Sequence, residues 1–119
     1  MASPKPSWPD AFAIVRRVGL SLPDVTEEVK YDGTPVLKAG GSFMAGIATD
    51  EEADANSLVV RCDLEDRALL LEDAPDIYYV TDYHERYPVV LARVEHLDDD
   101  ALRDLLSVSR RLAMAKARR

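Results

Sequence analysis

Several residue types that mark specialised classes of protein are scarce in this sequence. It contains one cysteine, Cys62, so no internal disulfide can form. No apolar run reaches the roughly 18 residues that a membrane-spanning helix requires. The first residues also lack the basic and then apolar layout of a secretory signal. We therefore expect a cytoplasmic protein in a reducing environment, with no contact to a membrane.

Residue patterns that would indicate catalysis are also missing. His84 has no second ligand at the i+3 or i+4 spacing of a metal site. Cys62 lies in a predicted strand without a neighbouring histidine, which favours a buried small apolar residue over a nucleophile. His96 precedes the last predicted helix and is interpreted as a loop residue. We therefore predict no catalytic residues, no metal site and no cofactor, and expect that the protein is not an enzyme.

The charge of the chain is negative and unevenly distributed. The formal net charge is −7, with 15 basic and 22 acidic residues. Five of the basic residues and none of the acids lie in residues 110–119, which leaves the rest of the chain at −12. Because a body of this charge repels a polyanion, contact with nucleic acid would require a local basic patch or the C-terminal tail.

Length and composition indicate one globular domain. The 119 residues are 47% hydrophobic and 31% charged, which is enough apolar material for one core and too little length for two. Residues 1–6 contain two prolines and are predicted to be a disordered leader. Residues 7–114 form the predicted domain, and residues 115–119 form a predicted basic tail.

Hydrophobic periodicity predicts the first helix and the first three strands. Phe12, Val15 and Val18 form one apolar stripe, which predicts a helix over residues 8–20 that ends before Leu22-Pro23-Asp24. A strand follows at residues 25–31, where apolar and polar residues alternate, and two more at residues 36–39 and 43–48 flank a glycine pair. Gly40-Gly41 predicts a tight hairpin turn, since glycine tolerates the positive φ angles of such turns.

The second half of the chain alternates again between strands and helices. Residues 49–57 are acidic and are predicted to be an exposed loop before a strand at residues 58–62. Asp63 is a candidate cap for a helix over residues 64–71. A short extended stretch at residues 77–80, a polar loop at 81–87 and a strand at 88–94 follow. The last helix begins at Asp98 and has a leucine stripe made of Leu102, Leu105, Leu106 and Leu112.

This order of elements predicts an α+β fold. Short turns between successive strands imply an antiparallel sheet, and helices with one apolar stripe each imply that they cover one face of that sheet. We therefore expect a two-layer sandwich, with an antiparallel sheet of about five strands and three helices packed on one face.

The strand pattern also suggests a binding surface. In the strands at residues 58–62 and 88–94 one set of alternating positions is purely apolar, while the other set includes an arginine. Lys30 and Lys38 alternate in the same way with Tyr31 and Leu37. If the strands are neighbours, a basic and partly apolar face would form opposite the helices from Lys30, Lys38, Arg61 and Arg93. The alternative is that these are ordinary solvated positions whose long side chains cover aliphatic neighbours.

A second candidate region is the polar loop at residues 81–87. Tyr83 and Tyr87 are interleaved there with His84 and Arg86. Aromatic rings beside cations can stack on nucleobases or line a ligand pocket. The alternative is that the tyrosines complete the edge of the core and direct their hydroxyl groups to water.

Short motifs along nearly the whole chain give a family resemblance. They are Leu22-Pro23-Asp24-Val25, Gly33-Thr34-Pro35-Val36-Leu37, Gly40-Gly41-Ser42-Phe43, the helix after Asp63, Tyr83-His84 before Pro88-Val89-Val90-Leu91, and the leucine-striped last helix. In their order and spacing they resemble the bacterial MmcQ/YjbR family of the CyaY-like superfamily. That resemblance implies an antiparallel α+β sandwich and a DNA-binding role through two protruding wings. The wings would be the Gly40-Gly41 hairpin and the 81–87 loop, with Lys38, His84 and Arg86 on phosphate.

Two functions therefore stay open from the sequence. The first is a DNA-binding or regulatory protein, as the resemblance implies. The second is a binding module that takes a protein segment or a small molecule on the open sheet face. In both cases we expect a monomer or a weak homodimer.

Overall fold

A computed structural model describes residues 8–117, with side chains from Phe12 onward. The predicted leader and the last two arginines lie outside the described residues. The elements, in chain order, are α1 (Trp8–Leu20), β1 (Val25–Val29), β2 (Pro35–Ala39), β3 (Ser42–Ile47), β4 (Ser57–Arg61), α2 (Leu64–Asp73), β5 (Tyr78–Tyr79), β6 (Val89–Arg93) and α3 (Asp99–Ala117).

The strands form one antiparallel sheet in the order β1-β2-β3-β4-β6-β5. The sheet has six strands rather than about five because Tyr78–Tyr79, in the predicted extended stretch, pairs with β6 at the edge. The predicted α+β sandwich is confirmed. Because β6 lies beside β4, the loop that precedes β6 is placed next to the middle of the sheet.

One face of the sheet carries the main core. α1 and α3 lie across this face, and α2 packs beside β5 and β6 at its edge. Ser109 of α3 also donates a 2.7 Å hydrogen bond to the carbonyl oxygen of Met44 in β3, which fixes the helix against the sheet. Core side chains that are no more than 1% exposed include Phe12, Val15, Leu37, Leu58, Val90, Leu102 and Leu106.

The predicted hairpin between β2 and β3 is confirmed. Gly40 and Gly41 have φ angles of +61° and +83°, in the left-handed region that favours glycine. A Cβ at Gly40 would lie only 3.0 Å from the sulfur of Met114, so the turn also packs closely against α3. This contact places the end of α3 beside the β2–β3 turn.

The helix ends differ in part from the sequence prediction. Asp98 caps α3, since its carboxylate accepts a 2.8 Å hydrogen bond from the backbone amide of Ala101. Asp63 stands at the corresponding position of α2, but its side chain makes no capping hydrogen bond. α3 continues to Ala117, so residues 115–117 of the predicted tail are helical. In the described part of the chain, no helix has the length and apolar character to cross a membrane.

The opposite face of the sheet is only partly open. Ala48, Val59, Val89 and Leu91 form a second, smaller core there, with Tyr79 and Phe43 packed against it. Two segments cover this core: residues 48–56, here called the acidic loop, and residues 80–88, here called the tyrosine loop. Most residues of the acidic loop are exposed, as predicted, but its backbone also contacts the sheet through a hydrogen bond from the amide of Asp54 to the Tyr79 hydroxyl.

Candidate ligand-binding groove

A groove of about 690 Å³ lies on the face opposite the helices, next to the second core. Its floor is formed by side chains of β2, β3, β4 and β6, and the tyrosine loop forms one wall. The volume lies within the range of about 300–1,000 Å³ that small-molecule sites occupy. We call this site the groove.

The floor of the groove is apolar. Val36, Phe43, Val59 and Val89 alternate with core residues along their strands and therefore project away from the helices. Gly46 lies between Val36 and Val59 in the register of the sheet. Because a glycine has no side chain, the floor carries none at this position.

The tyrosine loop forms an aromatic wall. Tyr83 and Tyr87 are 57% and 41% exposed, and their ring centroids lie 5.6 Å apart. Tyr83 also packs edge to face on the His84 ring, at 4.9 Å between centroids. Exposed rings held in this way offer a surface on which a planar or apolar group can pack.

Arg67 of α2 holds the backbone of this wall. Its guanidinium donates hydrogen bonds to the carbonyl oxygens of Glu85, Tyr87 and Val89, at 3.0 to 3.1 Å. One planar donor group thus holds three carbonyl oxygens of the segment that contains Tyr87 and leads into β6. The position of the wall depends on α2, although no α2 residue is among those that line the groove.

Three cations line the groove. They are Lys30 at the end of β1, Arg61 at the end of β4 and Lys116 in the last turn of α3. Arg61 donates from Nε to the carbonyl oxygen of Phe43 at 2.7 Å, which fixes its guanidinium plane. Among the residues that the structure describes, none of the three forms an ion pair. The charges of Arg61 and Lys116 are therefore available to a ligand, while Lys30 also interacts electrostatically with Asp32.

The other predicted cations do not line the groove. Lys38 projects from the same face but pairs with Glu28 at 3.1 Å. Arg93 pairs with Asp54 at 2.8 Å and lies 4.1 Å above the Tyr79 ring. Arg86 is exposed on the tyrosine loop outside the groove. All four cations that the strand pattern singled out share one face, but only Lys30 and Arg61 converge on the groove.

The acidic loop is held against the sheet by Tyr79 and Arg93. The amide of Asp54 donates to the Tyr79 hydroxyl at 2.8 Å, and the amide of Asp82 donates to the carboxylate of Glu52 at 3.0 Å. The Tyr79 hydroxyl also shares a hydrogen bond with Ser57. These contacts join the acidic loop to the tyrosine loop, so the two loops form one cover at this end of the groove.

Asp50 and His84 form the junction between the two loops. The Asp50 carboxylate lies 3.6 Å from His84 Nδ1, but that nitrogen is already hydrogen bonded to the Thr81 hydroxyl at 2.9 Å. His84 is only 9% exposed, and burial lowers the pKa of its imidazole, which the nearby Asp50 charge opposes in part. His84, a predicted contact residue, therefore lines the groove as a buried and neutral side chain.

The remaining reactive group lies away from the groove. Cys62 is 3% exposed, and burial together with the charges of Asp66 and Asp63 raises the pKa of its thiol to about 11. It borders a second, apolar groove of about 430 Å³ between α2 and α3, which shares Arg61 with the first groove. In residues 8–117, no three His, Cys, Asp or Glu side chains converge to hold a metal ion.

Sequence reasoning missed several residues of the groove. Lys116 was assigned to the tail, although its place in the leucine-striped helix was a usable signal that it is structured. Asp50 was one acid among several in the acidic loop, and nothing local distinguishes it. The role of Arg67 was also missed, since its three partners are 18 to 22 residues away in the chain.

Comparison with known protein families assigns most of the chain. A family model described as YjbR matches residues 20–112, which is most of the chain. This span includes every strand and every groove residue except Lys116. No curated protein and no solved structure matches the chain at a significant level.

Proposed function

Since the chain belongs to the YjbR family, as its resemblance predicted, and this assignment names no reaction, we propose that the protein is a non-catalytic binding module. Its ligand is a small anion with an apolar or aromatic body. The binding site is the groove, and the ligand's acid group lies beside Arg61.

The presence of three cations in the lining of the groove carries this proposal. The whole chain has a net charge of −7, yet Lys30, Arg61 and Lys116 line the groove against one acid, Asp50. On an acidic molecule such a positive site concentrates anions locally. The Arg61 plane is fixed by its bond to Phe43, so an incoming acid group meets a preorganised donor.

The floor and the aromatic wall of the groove indicate which kind of body the ligand has beside its acid group. An apolar floor beside two exposed tyrosine rings favours burial of a hydrophobic or planar group. A ligand that carried only charge would leave this surface unused. The site is therefore suited to an amphipathic anion rather than to an inorganic one.

The lining of the groove supports binding without catalysis. Among the described residues that line it, none is a serine or a cysteine. The Cys62 thiol is buried elsewhere, with its pKa raised to about 11, so little thiolate forms at neutral pH. His84 has its Nδ1 hydrogen bonded to the hydroxyl of Thr81, which is itself buried and is not among the residues that line the groove. A nucleophile and base pair, which most acyl-transfer chemistry needs, is not formed by these groove residues.

A matched pair of fluorescent probes tests this proposal. Anilinonaphthalene sulfonate is an aromatic anion, and N-phenylnaphthylamine has the same rings without the acid group. We expect wild-type protein to bind the sulfonate at least about tenfold more tightly, since a charge-assisted hydrogen bond contributes that much. The Arg61→Ala variant should lose this preference and keep its affinity for the neutral probe.

Arg111→Ala is the matched control. Arg111 is exposed on α3, and its removal changes the net charge by the same amount without touching the groove. An equal loss of sulfonate binding in both variants would show that only the overall charge matters. If wild-type protein binds the two probes equally well, the groove does not prefer anions and the proposed anion site is wrong.

DNA binding is the second candidate, and the tyrosine loop is the feature that favours it. Tyr83 and Tyr87 expose their rings on either side of Arg86, which is also exposed. Aromatic rings beside a cation stack well on unpaired bases. Of the three predicted phosphate contacts, Lys38 is paired with Glu28 and His84 is buried. Arg86 is exposed and forms no ion pair with any of the described residues.

Fluorescence anisotropy with labelled oligonucleotides tests this candidate. Single-stranded and duplex DNA are compared at low and moderate salt, with a Tyr83→Ala, Tyr87→Ala double variant beside the wild type. If the tyrosine loop binds DNA, single strands bind better, and the double variant loses that preference. Absence of saturable, salt-sensitive binding below about 100 µM would count against any DNA-binding role.

A further inference from the structure

The Asp50 carboxylate is buried without a hydrogen-bond partner. Each of its two oxygens exposes less than 1 Å² to solvent, and neither accepts a hydrogen bond. Asp50 is also the one acid among the described residues that line the groove. A buried charge without a donor is costly, and such groups in native proteins commonly mark a functional position.

The His84 imidazole lies beside this carboxylate but does not donate a hydrogen bond to it. His84 Nδ1 is 3.6 Å from Asp50, beyond hydrogen-bonding distance, and it already bonds to the Thr81 hydroxyl. Burial also lowers the pKa of His84, so the ring is neutral at physiological pH. Asp50 therefore keeps an unused acceptor at the wall of the groove.

The Asp50 side chain can turn toward a ligand at small cost. As a whole it is 20% exposed, although its oxygens are covered. No hydrogen bond holds the carboxylate in place, so a change of its χ angles breaks no existing bond. Asp50 already lines the groove, so its carboxylate is close to the space that a ligand would occupy.

Asp50 and Arg61 lie at opposite ends of the groove, while Lys30 lies in the cross-strand row of Ala48 and Ser57, at the Asp50 end. Asp50 follows Ala48, whose amide donates to the carbonyl oxygen of Ser57 at 3.0 Å, at the start of β4. Arg61 is the last residue of β4, four positions beyond Ser57, which corresponds to roughly 13 Å along the strand. An extended tripeptide spans roughly 10 Å between its termini, and the side chains of Asp50 and Arg61 cover the remainder.

We propose that the groove binds a zwitterionic ligand of about the length of a tripeptide, with its ammonium group on Asp50 and its carboxylate beside Arg61. This inference rests on the proposed function, because it takes the same groove and adds the second charged group. It makes Asp50 a specificity-determining residue: an anion that lacks the N–H donor leaves Asp50 unsatisfied and binds more weakly.

NMR titration with three matched tripeptides tests this inference. The probes are Ala-Phe-Ala, its N-acetylated form without the ammonium group, and its C-amidated form without the carboxylate, each added to ¹⁵N-labelled protein at neutral pH. Ala-Phe-Ala should bind at least about tenfold more tightly than either modified form, since each modification removes one charge-assisted contact.

Two variants assign the ammonium contact. Asp50→Asn should reduce the preference for the free amine to less than about threefold and leave the affinity for the acetylated peptide unchanged. Glu51→Gln is the control, because it removes one negative charge from an exposed side chain of the same loop. It should leave the preference intact, which separates a local contact from a general effect of charge.

The possible failures are distinguishable. If the acetylated peptide binds the wild type as tightly as the free peptide, Asp50 holds no ligand donor and the inference is wrong, while groove binding itself stands. The same conclusion follows if no tripeptide shifts the groove signals although anilinonaphthalene sulfonate does. If the sulfonate also fails to bind there, the proposed function is wrong. A pKa of His84 above about 7 would also overturn the inference, because an imidazolium would then satisfy Asp50.

Discussion

Arg67 donates a 3.0 Å hydrogen bond from Nη1 to the carbonyl oxygen of Tyr87 and so connects α2 to the wall of the groove. The same guanidinium holds the carbonyl oxygens of Glu85 and Val89. α2 itself has no fully buried residue. Its main contribution to the binding surface is therefore this arginine, which orders the loop from outside the groove.

The Arg67→Ala variant should loosen the tyrosine loop. Three carbonyl oxygens lose their donor, so we expect the free energy of unfolding to fall by about 1–3 kcal/mol. Urea unfolding measures this change, and hydrogen exchange should accelerate at residues 84–89 in particular. Arg103→Ala, which removes one 3.2 Å bond to the Ser21 hydroxyl, is the control and should cost less than about 1 kcal/mol. Equal effects of both changes would contradict the role of Arg67.

The Asp50→Asn variant should be more stable than the wild type. It replaces a buried, unpartnered carboxylate by a neutral group of the same shape, so we expect a gain of about 1 kcal/mol. Asp54→Asn provides a contrast, because Asp54 pairs with Arg93 at 2.8 Å and is largely exposed. That change should lower the stability by less than about 1 kcal/mol. A loss of stability in Asp50→Asn, measured by urea unfolding, would mean that the carboxylate has a partner.

Substitutions at Gly46 should fill the groove without disturbing the fold. A Cβ at this position would lie 3.4 Å from Phe43 Cε1 and 3.5 Å from Val36 Cγ2, which are ordinary contact distances. We expect Gly46→Ala to change stability by less than about 1 kcal/mol, and Gly46→Val, which adds two further methyl groups at a buried position, to cost about 1–3 kcal/mol. Affinity for anilinonaphthalene sulfonate should fall stepwise from Gly to Ala to Val in a fluorescence titration. Unchanged affinity would place the probe elsewhere on the molecule.

Because of the Cys62 thiol, we expect the stability of the protein to fall at alkaline pH. Its pKa is raised to about 11 in the folded protein, against an ordinary value of 9.0. The contribution of the Cys62 thiol to the free energy of unfolding is fully present below pH 9, where the thiol is protonated in both the folded and the unfolded protein. This contribution is lost as the pH rises through 11. The loss amounts to about 2–3 kcal/mol. Urea unfolding at pH 8 to 11 should therefore show a steeper decline for wild type than for Cys62→Ala, and parallel declines would contradict the assignment.

Local patterns in the sequence were sufficient to predict the α+β sandwich. The alternation of Val59 with Val60 assigned opposite sheet faces correctly, because a strand has a period of two residues wherever it lies. Gly40-Gly41 identified the hairpin, since positive φ angles restrict the choice of residue at two adjacent positions. These features depend on neighbours in the chain, and so they can be predicted from it.

The groove depends on contacts that local patterns do not encode. The acidic loop folds back because the amide of Asp54 finds the Tyr79 hydroxyl, 25 residues away, and its carboxylate finds Arg93. The pattern of alternation placed Lys38 and Arg93 on the right face but could not show that both are paired with acids. Which cations remain available to a ligand is a tertiary property.

Mapping of anilinonaphthalene sulfonate by NMR tests the central claim most directly. The claim is that the groove, with its three cations, is the ligand site, and the apolar groove between α2 and α3 is the natural competitor. We predict that titration of the probe into ¹⁵N-labelled protein shifts the amide signals around Phe43, Val59 and Tyr83. Shifts confined to the second groove, around Leu69 and Val108, would contradict the account.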